Sequence, residues 1–140
     1  MASTAATAER LKQVSLLSGL SKRDLRRLAG KVRERRFKPG TAVVQEGKMS
    51  GIGFFVITGG EASVVVGGKE VARLGPGDHF GELGLIVKRE RTATVTADTQ
   101  LECLELTAWD FREFVQGDAD VSWKLLQHVA QLLLGERDDR

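Results

Sequence analysis

Residues 80–95 read F-G-E-L-G-L-I-V-K-R-E-R-T-A-T-V, and their reading decides the fold. An apolar run, Leu83-Gly84-Leu85-Ile86-Val87, lies between a single acid, Glu82, and a charged knot, Lys88-Arg89-Glu90-Arg91. Strand chemistry then resumes at Thr92-Ala93-Thr94-Val95. The apolar run is long enough for one or two helical turns. A turn of helix presents unpaired backbone N–H groups at its start, which favours an anion near Gly81 and Gly84. Neither glycine carries a side chain that would block that approach. Arg91 adds a planar fork of donors suited to phosphate. Glu82 accepts hydrogen bonds from a sugar hydroxyl, so a ribose phosphate would engage all of these groups. Charges beside a turn also form surface ion pairs of little energetic weight, and the residues alone leave that alternative open.

The flanking sequence has the pattern of a β-protein. Short β-rich runs occur at Thr41–Gln45, Gly53–Ile57, Glu61–Val66, Glu70–Leu74, Thr92–Thr96 and Leu101–Leu106. Gly47, Gly59-Gly60, Gly67-Gly68 and Gly75-Pro76-Gly77 punctuate them, which predicts a sandwich, jelly roll or closed barrel. Both glycine pairs are hairpin signals. Glycine, 16 of 140 residues, exceeds the usual share of about 7% and favours a turn-rich β architecture.

Helical spacing brackets the strands. Leu11, Val14 and Leu17 precede a break at Ser18-Gly19-Leu20-Ser21. Ser21 with Asp24 then makes a capping pair for a helix burying Leu25, Leu28 and Val32. Thr107 opens a second helical region, with a break at Gly117-Asp118 and a long apolar helix from Val121 to Leu134. The expected organisation is a frayed tail at 1–7, helices at 8–37, a β-roll at 38–106, helices at 107–135 and a charged tail at 136–140. The fold class is mainly β: an eight-stranded β-roll or jelly roll with an N-terminal helical segment and two C-terminal helices.

With 41% hydrophobic and 29% charged residues, the chain has an ordinary globular composition. Its net charge of +2 is uneven: residues 9–38 hold eleven Lys/Arg against Glu9, Asp24 and Glu34, a local +8 that leaves −6 elsewhere. Such a segment suits nucleic acid, an anionic membrane or an acidic partner, and equally a solvated helix face. The single Cys103 alternates with acids, is expected to face the core and admits no intramolecular disulfide. With no signal-peptide pattern and no apolar run near the roughly 18 residues of a membrane helix, a cytoplasmic protein is expected. His79 and His128 are expected at a strand end and on a helix surface. Two histidines cannot assemble a metal cluster, no nucleophile–base pattern or phosphate-binding loop occurs, and no enzyme activity is expected.

The stretch from Phe80 resembles the phosphate-binding cassette of cyclic nucleotide-binding domains, the family found in the catabolite activator protein, cyclic-nucleotide-dependent kinases and cyclic-nucleotide-gated channels. Phe80-Gly81-Glu82-Leu83-Gly84-Leu85 and Arg91-Thr92-Ala93-Thr94-Val95 carry the resemblance, with the family's Glu-to-Arg separation. It extends over Leu16–Ser21, Pro39-Gly40-Thr41, Glu46-Gly47, Phe55–Gly60 and Leu74–Asp78. The resemblance implies a cyclic nucleotide ligand and no other cofactor. It implies that Arg91 pairs with the cyclic phosphate, that Glu82 and the Gly81 backbone hold the ribose 2′-hydroxyl, and that Phe80, Leu83, Gly84, Thr92 and Ala93 complete the cradle. The apolar excess of the last helix is either core or a self-association surface, or Leu126, Val129 and Leu133 close over the base; the resemblance implies a lid role for this helix. Lys88-Arg89-Glu90 departs from the family's Gly-x-Pro, and Glu90 brings a negative charge beside the phosphate position. A Thr at 92 can hydrogen-bond guanine, but cAMP is expected ahead of cGMP.

The function expected is a cyclic nucleotide sensor that moves its C-terminal helices to regulate a downstream protein or a fused effector. The sequence shows no DNA-reading helix-turn-helix after the roll, so the chain is either free-standing or part of something larger. The alternative is a ligand-free domain of the same fold serving protein interaction or dimerisation.

Overall fold

The computed structural model describes residues 3–48, 53–88 and 90–137. The described chain divides into two compact units, Met1–Lys31 with Phe111–Arg140, and Val32–Asp110.

Among the described residues, eight strands build the second unit: β1 (Arg33–Phe37), β2 (Ala42–Val44), β3 (Gly53–Gly59), β4 (Ala62–Val66), β5 (Lys69–Leu74), β6 (His79–Phe80), β7 (Thr94–Ala97) and β8 (Leu101–Thr107). They form two antiparallel four-stranded sheets, in the orders β1-β8-β3-β6 and β2-β7-β4-β5. Alternation along each strand sends every second side chain inward. Val44, Phe55, Ile57, Ala62, Val95, Ala97, Leu101 and Cys103 make the roll core, with Phe37, Val43, Val64, Leu74 and Phe80 packed against it.

Cys103 faces this core as the sequence predicts, and is 2% exposed. Burial pushes its thiol up from 9.0 to about 12; Arg35 opposes the rise and Glu105 adds to it. The unfolded chain therefore releases this proton first, near pH 9, and the thiol's contribution to stability, complete below that point, is lost as pH climbs towards 12. Iodoacetamide at pH 8 should leave native Cys103 unmodified and alkylate it in urea, read by mass spectrometry. Urea midpoints should fall between pH 8 and pH 10, and a Cys103→Ser variant should lose that slope.

In the first unit, α1 (Thr4–Lys12) and α2 (Lys22–Ala29) flank a 3-10 turn at Ser15–Leu17. The chain's C-terminal part supplies α3 (Ala108–Gln116), whose Phe111–Gln116 stretch lies in this unit, and α4 (Ala119–Arg137). Leu11, Val14, Leu17, Leu25, Leu28, Phe111, Phe114, Val121 and Leu125 are buried. Ser21 caps α2 through Asp24 N, as the sequence predicts. Asp118 caps α4 by accepting from the Asp120 and Val121 amides. Those bonds, the Val121 one foremost, and the Arg27 guanidinium hold the Asp118 carboxyl below its usual range.

Several expectations need correction. The 1–7 tail is helical from Thr4, because Ser3 Oγ accepts from Ala6 N and nucleates α1. Helix does not continue over 8–37: α2 ends at Ala29 with Gly30 as its C-cap, Val32 is not on a helix, and 33–37 is strand β1. Arg33 and Arg35 reach Glu105 of the neighbouring β8, so cross-strand charge holds a segment whose sequence shows no apolar period. Gly59-Gly60 is not a hairpin, since β3 and β4 lie in different sheets. At Gly60, with φ +85°, a Cβ would run into the Gln100 carbonyl, so glycine permits the change of sheet beside the β7–β8 turn. Gly67-Gly68 does make the β4–β5 hairpin, with Val66 paired to Lys69. The strand expected at 92–96 starts at Thr94. His128 lies on the surface of α4 as expected, and its Nε2 is 2.6 Å from the Ser15 carbonyl oxygen and 3.1 Å from Ser18 Oγ. Of the charged tail, α4 takes in 136–137, and 138–140 lie outside the described residues.

Candidate functional site

β6 ends at Phe80, whose ring stacks on Phe55 of β3 at 5.1 Å and 20°. Gly81, in the left-handed region at φ +86°, then turns the chain into a 3-10 helix at Glu82–Leu85. Its bonds run from Gly84 N to the Gly81 carbonyl and from Ile86 N to the Leu83 carbonyl. Leu85 is buried beneath the turn, while Leu83 is exposed.

Arg91 reaches the same turn from the other side. Its backbone is pinned on both sides, donating to the Lys48 carbonyl at 3.1 Å and accepting from Gly47 N at 2.8 Å. Its Nη2 donates to the Gly53 carbonyl at 2.8 Å. A Cβ at Gly81 would sit 2.6 Å from Arg91 Nη1 and 2.8 Å from that carbonyl, so the guanidinium lies where only glycine leaves room. Gly84 faces the same group less tightly, at 3.7 Å. Burial lowers the Arg91 pKa from its ordinary value, and the guanidinium stays cationic at neutral pH.

These groups surround a cavity of about 530 Å³, within the range of small-molecule sites. Phe80, Gly81, Glu82, Leu83, Gly84, Arg91, Thr92 and Ala93, all singled out from sequence, line it together. Every described lining residue belongs to the β unit. Of the three candidate lid residues in α4, Leu126 and Leu133 are exposed and Val129 is half-buried. Sequence reasoning did not assign the apolar wall of Val44, Val64, Leu74 and Val95, which strand alternation could have indicated. It also assigned His79 no place in the lining. Glu90, the residue that departs from the family pattern, lines the cavity beside Arg91. Arg89 of the same departure lies outside the described residues.

Among the described residues, two buried side-chain atoms have no hydrogen-bond partner, Glu82 Oε2 and His79 Nδ1. Both residues line this cavity. An unmet carboxylate oxygen costs free energy unless something donates to it. Glu82 therefore carries an unused acceptor in the same cavity as a cationic fork: one group for a hydroxyl, one for an anion. No group of His, Cys, Asp and Glu suited to a metal ion is found among the described residues. Nor is any described helix long and apolar enough to cross a membrane.

Residues 34–118 match the family described as "Cyclic nucleotide-binding domain", and the chain belongs to that family. It is 41% identical over 98 residues, 69% of its length, to the cAMP-dependent protein kinase regulatory subunit of Yarrowia lipolytica; the match spans 26% of that protein. Among solved structures it resembles the N-terminal domain of a transcriptional regulator from Streptomyces coelicolor A3(2), with a TM-score of 0.80, 28% identity, and 93% and 96% of the two chains covered. It also resembles the regulatory domain of Toxoplasma gondii PKA with cAMP, with a TM-score of 0.68, 29% identity, and coverage of 77% and 42%. The eight-stranded roll with N- and C-terminal helices is the fold expected from the sequence.

Proposed function

We propose that this domain is a regulatory sensor that binds a 3′,5′-cyclic nucleotide, cAMP in preference to cGMP, and transmits occupancy to an effector. The observation that carries the reading is the unpartnered Glu82 Oε2 in the cavity that Arg91 also lines. Arg91 grips the cyclic phosphate, Glu82 accepts from the ribose 2′-hydroxyl, and the backbone of Gly81 to Gly84 completes the cradle with Thr92 and Ala93. The apolar wall of Val44, Val64, Leu74 and Val95 suits the uncharged faces of the nucleotide. The names of the Yarrowia and Toxoplasma proteins support cAMP. Binding shifts a pre-existing equilibrium towards a state in which the C-terminal helices close, Leu126, Val129 and Leu133 facing the base. The shift extends only as far as the ligand's preference for that state. The effector is a partner protein or a module on the same chain, and the reading includes no catalysis and a cytoplasmic location.

Calorimetric titration with cAMP and cGMP tests this directly. Binding of both, cAMP the tighter, is expected; no heat with either at millimolar concentration would overturn the reading and restore the ligand-free interaction module. Thr92→Ala refines the base assignment. If Thr92 Oγ1 touches guanine, cGMP affinity falls about 3–10-fold, one hydrogen bond of about 0.5–1.5 kcal/mol, and cAMP affinity changes less. Equal changes in both would sink the guanine contact.

Glu90 opposes the ligand's charge. Glu90→Gln is expected to tighten cAMP binding about 2–5-fold at low salt, the size of an exposed charge–charge interaction. The gain should shrink as salt screens it. A gain unchanged by salt, or a loss of affinity, contradicts a repulsive role.

A further inference from the structure

We propose that Glu105 is a positioning residue for Arg91, acting through the backbone of Gly53; the proposal rests on Arg91 as the phosphate-binding group. Gly53 begins β3 and offers its carbonyl to Arg91 Nη2 at 2.8 Å. On β8, Thr107 is paired with Gly53 and Glu105 with Phe55, so Glu105 stands two positions along the strand from Gly53's partner. Its carboxylate lies against the bare side of Gly53. A Cβ there would be 3.1 Å from Oε2 and 3.3 Å from Cγ.

Glu105 is 4% exposed, an unusual place for a carboxylate. Its other oxygen, Oε1, accepts from Arg35 Nη1 at 2.9 Å and from Arg33 Nη2 at 3.4 Å. Both arginines come from β1, so the two carboxylate oxygens have separate tasks. Oε1 is anchored by a pair of cations, which offsets the cost of burying the charge. Oε2, held by that anchor, fills the space beside Gly53 and braces the end of β3. A braced Gly53 keeps its carbonyl at one distance from the guanidinium, and the fork then faces the cavity with its plane already set. Preorganisation of this kind lowers what binding must spend on ordering a long side chain.

Gly53→Ala and Glu105→Ala, alone and together in the full chain, test the coupling. Gly53→Ala pushes a methyl into the carboxylate, and cAMP affinity should fall about tenfold by calorimetry. Glu105→Ala removes the brace and should cost about threefold. The double variant should bind no worse than Glu105→Ala, because the new methyl occupies space that the carboxylate left. Equal cost for Gly53→Ala with and without Glu105 would overturn the proposal.

A second measurement needs no ligand: the Arg91 Nε–Hε resonance in a nitrogen–proton correlation spectrum. It should shift in Gly53→Ala and move back to its Glu105→Ala position in the double variant, whereas a merely structural Glu105 lowers the melting temperature and leaves that resonance in place. Were wild type to bind no cyclic nucleotide, the functional reading would fail and this resonance would still decide the coupling. Should Gly53→Ala not fold, Glu105→Ala carries the test. A shifted Arg91 signal supports the brace, and an unchanged signal rejects it.

Discussion

Replacing Arg91 by Ala is expected to weaken cAMP binding by about 10²–10³-fold, or about 3–4 kcal/mol, the range for truncating one member of a desolvated charge pair. The size of the effect follows from where the guanidinium sits. It is partly buried, its backbone is fixed by Gly47 and Lys48, and one nitrogen is tied to the Gly53 carbonyl. A ligand phosphate therefore meets a cation that is poorly hydrated and already oriented. Arg91→Lys should recover part of the loss and remain about tenfold weaker than wild type, since an ammonium keeps the charge but not the fork. Both variants should be compared by calorimetry at one salt concentration, with a thermal melt to verify folding. Ala binding within threefold of wild type would remove Arg91 from the site.

Phe55→Ala should produce the largest loss of stability, about 3–5 kcal/mol. Phe55 is 5% exposed and sits in the roll core, edge-on to Phe37 at 6.0 Å and stacked on Phe80 at 5.1 Å. Truncation opens a void between two rings that cannot both collapse into it. For a chain of 140 residues the melting temperature should drop by about 10–20 °C. Phe80 lines the cavity, so loss of its stacking partner should also weaken the ligand. Phe55→Leu, nearer in volume, should cost about 1 kcal/mol and leave affinity close to wild type. A melting temperature within 3 °C of wild type for the Ala variant would contradict the packing described.

The cassette was legible because its determinants are local. Gly81 needs a left-handed turn, Glu82 and Arg91 are charges with little reason to interrupt a core, and the strands around them alternate. The structure brings all eight expected cassette residues to one cavity. β1 was not legible, because Arg-Glu-Arg-Arg-Phe has no apolar alternation and is held by Glu105, about seventy residues later. Gly59-Gly60 misled for a related reason. A glycine pair signals a close approach, but only the partner, here the Gln100 carbonyl, decides between a hairpin and a crossing between sheets. The apolar wall of the cavity depends on which residues of β2, β4, β5 and β7 point inward together, and pairing across strands fixes that rather than any one segment.

The position of β8 between β1 and β3 has a consequence for how the chain folds. Both neighbours precede it by many tens of residues, so in a chain emerging from the ribosome β1 lacks its partner and β3 lacks one of its two until Leu101–Thr107 has been made. Pairing over such separations pays loop-closure entropy before it gains contacts, which places folding in the slower, millisecond-to-second class of β-topologies. Until β8 arrives, β1 is shielded only by its run of arginines, charges that keep an exposed edge from pairing with another chain. The same guanidinium groups that later hold Glu105 thus first act as guards against aggregation.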